Sequence, residues 1–125
     1  MKIFCCSCNV DIEARLTSGR EIYSQRKDLS QIPFWVCDTC NNYVGCHHKS
    51  SKPLQPLGCI PTAEIKKWRS ILHTIIDPLW QGKDKQERKT VYRKISTFLG
   101  YEYHSAEIRS VEEAKKIYAY VKNNF

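Results

Sequence analysis

Cys5-Cys6-Ser7-Cys8 and Cys37-Asp38-Thr39-Cys40 are two C-x2-C steps in a chain of 125 residues. Two such steps can close a tetrahedral site in which thiolates surround one metal ion. The same ligands suit an iron–sulfur cluster, but strand-like sequence flanks both steps and favours zinc. Cys6 falls inside the first step, where its side chain should point away as a spectator thiol. We therefore predict one structural Zn2+ whose ligands are Cys5, Cys8, Cys37 and Cys40.

Strand-like segments surround the two cysteine steps. Val10-Asp11-Ile12 alternates apolar and polar residues, Thr17–Arg20 has turn character, and Ile22-Tyr23 resumes an extended pattern, which together predict a β-hairpin. Phe34-Trp35-Val36 predicts a third strand that enters the second step, and Tyr43-Val44 predicts a fourth that leaves it. A sheet this small buries little apolar surface, so the metal should supply most of its stability.

Three helical stripes follow a connector at residues 45–61, which is rich in proline, glycine and basic residues. Thr62 fits the N-cap of the first helix, which should end where Pro78 interferes. A second stripe runs from Lys83 to Leu99 and is followed by a glycine, the residue most typical of helix C-termini. Ser110–Glu113 has the pattern of a capping box and predicts the start of a third helix.

These elements predict an α+β protein. A small N-terminal four-cysteine zinc ribbon (β) and its connector loop occupy residues 1–61, and a three-helix C-terminal lobe occupies residues 62–125. The apolar residues are too few for two independent cores. We therefore expect the ribbon to be packed on the helical lobe as one compact unit.

The composition is moderately basic. The formal net charge is +7, and four thiolates with one Zn2+ contribute −2, which leaves a working charge of about +5. That balance suits nucleic acid or an acidic protein surface, and it is also common in small soluble proteins. No apolar run is long enough for a signal peptide or a membrane span, and C-x2-C pairs hold metal in reducing compartments. We expect a cytoplasmic location and no membrane partner.

Longer motifs carry a family resemblance. Three of them are short: Tyr43-Val44-Gly45-Cys46-His47, Lys52-Pro53-Leu54 and Pro56-Leu57-Gly58. The first predicted helix also contains the pattern R-x3-H-x3-D, whose first residue is Arg69, and His104 follows later in the chain. With the cysteine pairs in the same order, nearly the whole chain resembles a zinc-finger-containing family of unknown function found widely in phages and prophages. The resemblance implies a zinc-binding cytosolic protein of mobile-element type, active in the host cytoplasm if phage-encoded. It implies no particular activity.

Four further thiol and imidazole groups follow the ribbon. Cys46, His47, His48 and Cys59 are a possible second metal site, since both group types bind zinc well. The alternative has His47 hydrogen-bonded within the connector or in contact with a ligand phosphate, and Cys46 packed like a small hydrophobe.

A row of polar residues is predicted on the first helix. Arg69, His73 and Asp77 stand at i, i+4 and i+8, and Lys66 joins them. Such a row can bind phosphate, with Asp77 orienting the imidazole, or it can form ordinary i,i+4 pairs at the edge of the core. A metal-dependent nuclease would need Asp77 and His47 brought together by folding. We predict no catalytic residue.

The clearest cationic face is predicted on the second helix, where Lys85, Lys89 and Arg93 share one side. Ribbon loops add an aromatic ring and further lysines, a combination suited to phosphate contacts and base stacking. The residues predicted to bind nucleic acid or another partner are Tyr43, His47, Lys49, Lys52, Lys66, Arg69, His73, Lys85, Lys89 and Arg93.

The sequence thus favours a phage-type zinc-ribbon protein that binds nucleic acid or a nucleoprotein complex. No helix offers base-reading residues at defined positions, so sequence specificity is not expected. The alternative is a protein–protein inhibitor or modulator of a host machine, either anti-defence or polymerase-directed. The third possibility is the metal-dependent nuclease.

Overall fold

The computed structural model describes residues 1–81 and 85–125, apart from the side chains of residues 85 and 86. Within this part the chain divides into two compact units, Met1–Ala63 and Glu64–Phe125. The first unit contains the strands, and the second contains the long α-helices, the first of which begins at Ala63. The predicted boundary between residues 61 and 62 and the predicted shared interface stay predictions.

Two small antiparallel sheets form the N-terminal unit. Strand β1 pairs with β2 so that Lys2 lies opposite Glu13 and Cys5 opposite Val10. The second sheet has the order β3-β4-β5, with Val36 of the central strand opposite Tyr43. The strands are β1 (Lys2–Cys5), β2 (Val10–Glu13), β3 (Arg15–Ser18), β4 (Pro33–Val36) and β5 (Tyr43–Gly45).

The predicted first hairpin is wrong in its partners. Val10–Glu13 pairs with Lys2–Cys5 and not with Ile22-Tyr23, because the first cysteine step itself forms the turn. The expected turn at residues 17–20 begins inside β3 and continues into a four-residue helical turn, α1 (Gly19–Ile22). Two strand predictions, Phe34–Val36 and Tyr43-Val44, are confirmed as parts of β4 and β5.

The connector is held to the N-terminal unit by backbone hydrogen bonds. The N–H of Ile60 donates to the carbonyl of Phe4 at 2.8 Å, and the N–H of Cys6 donates to the carbonyl of Ile60 at 2.9 Å. The indole Nε1 of Trp35 donates to the carbonyl of Leu54 at 2.8 Å. Residues 46–60 therefore belong to the ribbon and close its core, in which Ile60 is fully buried.

The described residues of the C-terminal unit form three α-helices, as the sequence predicted. They are α2 (Ala63–Ile76), α3 (Lys85–Leu99) and α4 (Val111–Asn124). Leu72, Ile95 and Ile117 of the predicted stripes are fully buried, but Phe98, which the sequence placed on the stripe of the second helix, is 38% exposed. Aromatic pairs join the helices: Trp68 meets Tyr118 edge-on with ring centroids 5.9 Å apart.

Local signals account for the helix ends. α2 ends at Ile76, one residue before a 3-10 turn that contains Pro78. Gly100 follows α3 with a φ of 82°, the left-handed conformation that glycine adopts readily. Ser110 caps α4, and its Oγ accepts a hydrogen bond from the N–H of Glu113 at 3.1 Å. The α+β fold class is confirmed.

Short 3-10 turns connect several elements, at Lys27–Leu29, Asp77–Leu79 and Ser105–Glu107. In the described ranges, no helix combines the length and the apolar character needed to cross a membrane.

Candidate metal centre and binding surfaces

Each C-x2-C step forms the turn of a hairpin. Cys5–Cys8 connects β1 to β2, and Cys37–Cys40 connects β4 to β5. An asparagine follows each step in a left-handed conformation, with φ of 60° at Asn9 and 66° at Asn41. The N–H of Asn9 donates to the carbonyl of Cys5, and that of Asn41 to the carbonyl of Cys37, both at 2.7 Å. The two turns therefore repeat one local structure, C-x2-C-N, that the sequence analysis did not identify.

The four sulfur atoms of the steps form one cluster. Cys5 Sγ lies 3.5 Å from Cys40 Sγ, and Cys8 Sγ lies 3.7 Å from Cys37 Sγ. All four ligand atoms lie within 4.8 Å of one another. A zinc–sulfur bond of about 2.3 Å in a tetrahedron requires sulfur atoms about 3.8 Å apart, so the cluster fits one zinc ion. The prediction of a single structural zinc is confirmed in this sense.

Burial and hydrogen bonding shift the pKa values of Cys5, Cys8 and Cys37 in different directions. Burial raises the pKa of Cys5, and hydrogen bonds with Cys37 and Cys5 raise the pKa of Cys8 to about 12. Burial also opposes ionisation of Cys37, but the backbone N–H groups of Cys40 and Thr39 outweigh it and lower the pKa of Cys37 to about 7. Zinc must displace the protons of Cys5 and Cys8, because only thiolates are strong ligands.

The groups suggested for a second metal site do not assemble into one. Among the described residues, the Cys5–Cys8–Cys37–Cys40 group is the set of three or more ligand atoms close enough to hold a metal. Cys46 is buried, and burial raises its pKa. His48 Nδ1 lies 3.4 Å from the carbonyl of Cys46, and the backbone N–H of His47 donates to Gln55 within the connector.

Cys6 has a contact that the sequence did not reveal. Its Sγ lies 3.7 Å from the Sγ of Cys59, a residue on the far side of the connector in sequence. Cys59 is buried and Cys6 is half-buried. Two of the three cysteines outside the zinc cluster are therefore in contact with each other.

The predicted row on α2 contacts the segment that precedes α4. Arg69 Nη2 donates to the carbonyl of Ile108 at 2.7 Å, and His73 Nε2 lies 3.0 Å from Ser105 Oγ. His73 Nδ1 lies 3.5 Å from Asp77 Oδ1, as expected for i,i+4 neighbours. This geometry supports the structural alternative, in which the row attaches residues 105–108 to α2.

The predicted cationic residues lie at the surface. Lys49 and Lys52 are exposed in the connector, Lys66 on α2, and Lys89 and Arg93 on α3. The side chain of Lys85 falls outside the described residues, as does Lys83. The roles of these residues in binding stay predictions.

The ring of Tyr43 is less accessible to a nucleic-acid base than we expected. It is half-buried and packs edge-on against Tyr23 and Phe34, with centroids 5.7 and 5.8 Å away. Its hydroxyl lies 2.6 Å from that of Tyr23. His47, by contrast, is exposed.

A cationic–aromatic face on α3 and α4 was not predicted. Phe98 stacks on Tyr120 with centroids 4.2 Å apart, and Tyr120 meets Phe125 edge-on at 6.2 Å. Lys116 Nζ lies 5.4 Å from the ring of Phe98, and Lys94 Nζ lies 5.4 Å from that of Phe125. We call these five residues the α3–α4 face. The sequence held a signal, since Lys94 and Phe98, like Lys116 and Tyr120, are four residues apart on a helix.

The comparisons with known proteins agree with the metal centre. No curated protein and no solved structure matches this sequence. A family described as a zinc-finger-containing domain matches residues 1–123. That match spans both cysteine steps, α2, α3 and all of α4 but its last residue, so the chain belongs to the zinc-finger-containing domain family.

Proposed function

We propose that this protein binds single-stranded nucleic acid in the cytoplasm, without sequence specificity, through the α3–α4 face. Zinc has a structural role in this proposal, because a four-thiolate site leaves no open coordination position. The ligand is recognised by its phosphates and by the flat faces of its bases.

The observation that carries the proposal is the row of three aromatic rings flanked by two ammonium groups. Phe98 and Phe125 are 38% and 42% exposed. Large aromatic side chains are usually buried, so two exposed rings beside lysines are unusual for a surface with no ligand. Unpaired bases stack on such rings whatever their sequence, whereas bases in a duplex are already stacked.

Charge supports the same ligand. Lys94 and Lys116 on the α3–α4 face and Lys89 and Arg93 on α3 are all exposed cations. Phosphate contacts by such residues release counterions, and this release makes binding strongly salt-dependent. A chain with a positive net charge also attracts nucleic acid at longer range.

A second candidate, a protein-directed inhibitor or modulator of a host machine, is favoured by a different observation. Leu54 and Leu57 of the connector are each 45% exposed, and Leu16 of β3 is 43% exposed. Exposed apolar side chains of this kind suit a protein partner. This candidate makes the N-terminal unit, rather than the α3–α4 face, the site of binding.

The test is a fluorescence-anisotropy titration of the zinc-loaded protein. The ligands are a labelled single strand of about 16 nucleotides, within the site size of such surfaces, and the matching duplex. Salt should vary from about 50 to 200 mM. We expect tighter binding of the single strand and a steep fall in affinity with salt. Equal binding of both ligands would contradict recognition of unpaired bases, and absent binding of both would contradict the proposal and favour the protein partner.

Matched variants locate the binding site. Lys94→Gln with Lys116→Gln removes two cations of the face and should reduce the slope of log K against log salt by about 1.4 for a single strand. Phe98→Leu should weaken binding by roughly 1 kcal/mol through lost stacking, with the slope retained. The control, Lys27→Gln with Lys67→Gln, removes the same charge from exposed positions outside the face. A control that weakens binding equally would reject the α3–α4 face.

A further inference from the structure

We propose that Cys6 and Cys59 form a redox modification site, a dithiol that closes to a disulfide with a peroxide while the neighbouring zinc thiolates stay bound. The starting observation is the 3.7 Å separation of the two sulfur atoms, which come from positions 53 residues apart in sequence. A disulfide has a sulfur–sulfur distance of about 2.05 Å. The two sulfurs must therefore approach by less than 2 Å, roughly the movement of a side-chain rotation.

The backbone holds this pair in place. Ile60, which follows Cys59, donates its N–H to Phe4 and accepts the N–H of Cys6 at 2.9 Å. Cys5 and Ile60 form a parallel bridge. These bonds hold Ile60 beside Cys5 and so place the neighbouring Cys59 next to Cys6. Backbone register thus brings the two cysteines next to each other.

The pair is chemically separate from the zinc cluster. Cys6 lies within the first step but outside the group of four mutually close sulfur atoms. Zinc-bound thiolates donate electron density to the metal and are held in a closed site, whereas a dithiol can react as a pair. Cys6 is half-buried and Cys59 is 2% exposed, so an oxidant reaches Cys6 first and Cys59 is the resolving thiol.

The reaction balances with hydrogen peroxide as the oxidant. The thiol of Cys6 gives up its proton, its sulfur attacks one peroxide oxygen and the O–O bond breaks, and the departing hydroxide takes up that proton as water, which leaves Cys6 as a sulfenic acid. The thiol sulfur of Cys59 then attacks the sulfur of Cys6 and expels its hydroxyl group as a second water. Two thiols and one peroxide give one disulfide and two waters.

The disulfide would be a second cross-link in the ribbon, in addition to the zinc site. The loop that it closes contains Cys8, Cys37 and Cys40, and Cys5 lies directly before it. Such a link restricts the unfolded chain and keeps the first step beside Ile60 after the metal leaves. The oxidised N-terminal unit should therefore retain more of its sheet structure without zinc than the reduced unit does.

The test treats the zinc-loaded full-length protein with an equimolar amount of hydrogen peroxide, followed by alkylation and peptide mass mapping. We expect a Cys6–Cys59 linkage, unchanged zinc content, and a fall of two in the count of seven cysteine thiols measured after denaturation and chelation. Cys6→Ala and Cys59→Ala should each abolish the linkage with zinc content retained. Cys46→Ala, which changes the third cysteine outside the cluster, should leave the linkage intact.

A second measurement is independent of the variants. After chelation with EDTA, amide exchange in β1 and β2 should be slower in the peroxide-treated protein than in the reduced protein, and added reductant should abolish the difference. Zinc release in step with the first thiols lost would overturn the proposal. So would linkages among the four cluster cysteines, or a sulfenic acid on Cys6 that Cys59 does not resolve.

Discussion

Arg15 holds the carboxylate of Asp38 with a two-point hydrogen bond, in which Nε lies 3.0 Å from Oδ2 and Nη2 lies 2.9 Å from Oδ1. Arg15 begins β3, and Asp38 lies inside the second cysteine step. Nη2 also reaches Glu21 at 3.2 Å. The hydrogen bond from Arg15 lowers the pKa of Asp38. Strand β3 therefore braces the metal-binding turn from outside the cluster.

Replacing Arg15 with Gln should weaken zinc binding slightly, by at most about fivefold, because both partners are exposed and water replaces the lost contact. Competition with a chelating dye measures the affinity. The lowered pKa means that the contribution of Asp38 is fully present above its unfolded-state pKa and is lost as pH falls through the folded value. The ratio of the zinc affinity of the unchanged protein to that of Arg15→Gln should thus be constant between about pH 6 and 8, because this range lies well above the ordinary pKa of Asp. A ratio that changes across this range would contradict the assignment.

Removal of the metal should unfold the N-terminal unit. Structural zinc contributes about 10–16 kcal/mol in zinc-finger peptides, more than two small sheets gain from burial. Cys37→Ser should release zinc and collapse the dispersion of the amide resonances of residues 1–63. The control, Cys6→Ser, changes a cysteine outside the cluster and should keep the metal. Retained zinc and dispersion in Cys37→Ser would refute the ligand set.

The asparagines after the cysteine steps can be tested by substitution. Asn41→Val should destabilise the N-terminal unit by about 1–2 kcal/mol, because a β-branched residue avoids the left-handed conformation. Asn41→Gly should cost little, since glycine adopts that conformation freely. Urea unfolding of the zinc-loaded protein measures both. Asn42→Val is the matched control, as its φ is not positive, and an equal loss there would remove the conformational explanation.

Gly19 is required by a close approach of backbone. A Cβ at this position would overlap with the carbonyl of Leu29, while the N–H of Gly19 donates to Ile32 at 2.9 Å. Gly19→Ala should therefore cost roughly 1–3 kcal/mol through displaced backbone. Gly100→Ala is the contrast: a Cβ there meets nothing within 4 Å, so only the φ of 82° opposes it, at about 1 kcal/mol. A smaller loss at Gly19 than at Gly100 in thermal unfolding would contradict this ranking.

Arg69 separates a structural role from phosphate binding. Arg69→Met keeps an unbranched apolar stem but removes the donor to the carbonyl of Ile108, at an expected cost of about 1.5–3 kcal/mol. The affinity of the folded protein for a single strand should stay unchanged. Lys67→Met, an exposed substitution on the same helix, should alter neither quantity. Reduced affinity in Arg69→Met without loss of stability would assign Arg69 to the binding surface.

The metal ligands and the helices could be predicted from sequence, and the first hairpin could not. The pattern at residues 10–23 is compatible with two strands joined by a turn, but it does not show that Lys2–Cys5 competes for the same partner. That competition is won by β1, because the Cys5–Cys8 turn and its hydrogen bond to Asn9 join β1 directly to β2. The close approach of Gly19 to the carbonyl of Leu29 could not be predicted either, because the two residues are ten positions apart in the sequence and no local pattern links them.

The features that local sequence specified are those set by a few adjacent residues. Ligand spacing within each cysteine step and the helical period of the stripes belong to this class, because short-range geometry alone constrains them. Tertiary packing specified the others. Cys6 meets Cys59 across 53 residues, Arg15 meets Asp38 across 23, and Phe98 stacks on Tyr120 from a different helix. Such contacts depend on the register and packing of distant segments, to which no local period or spacing is sensitive.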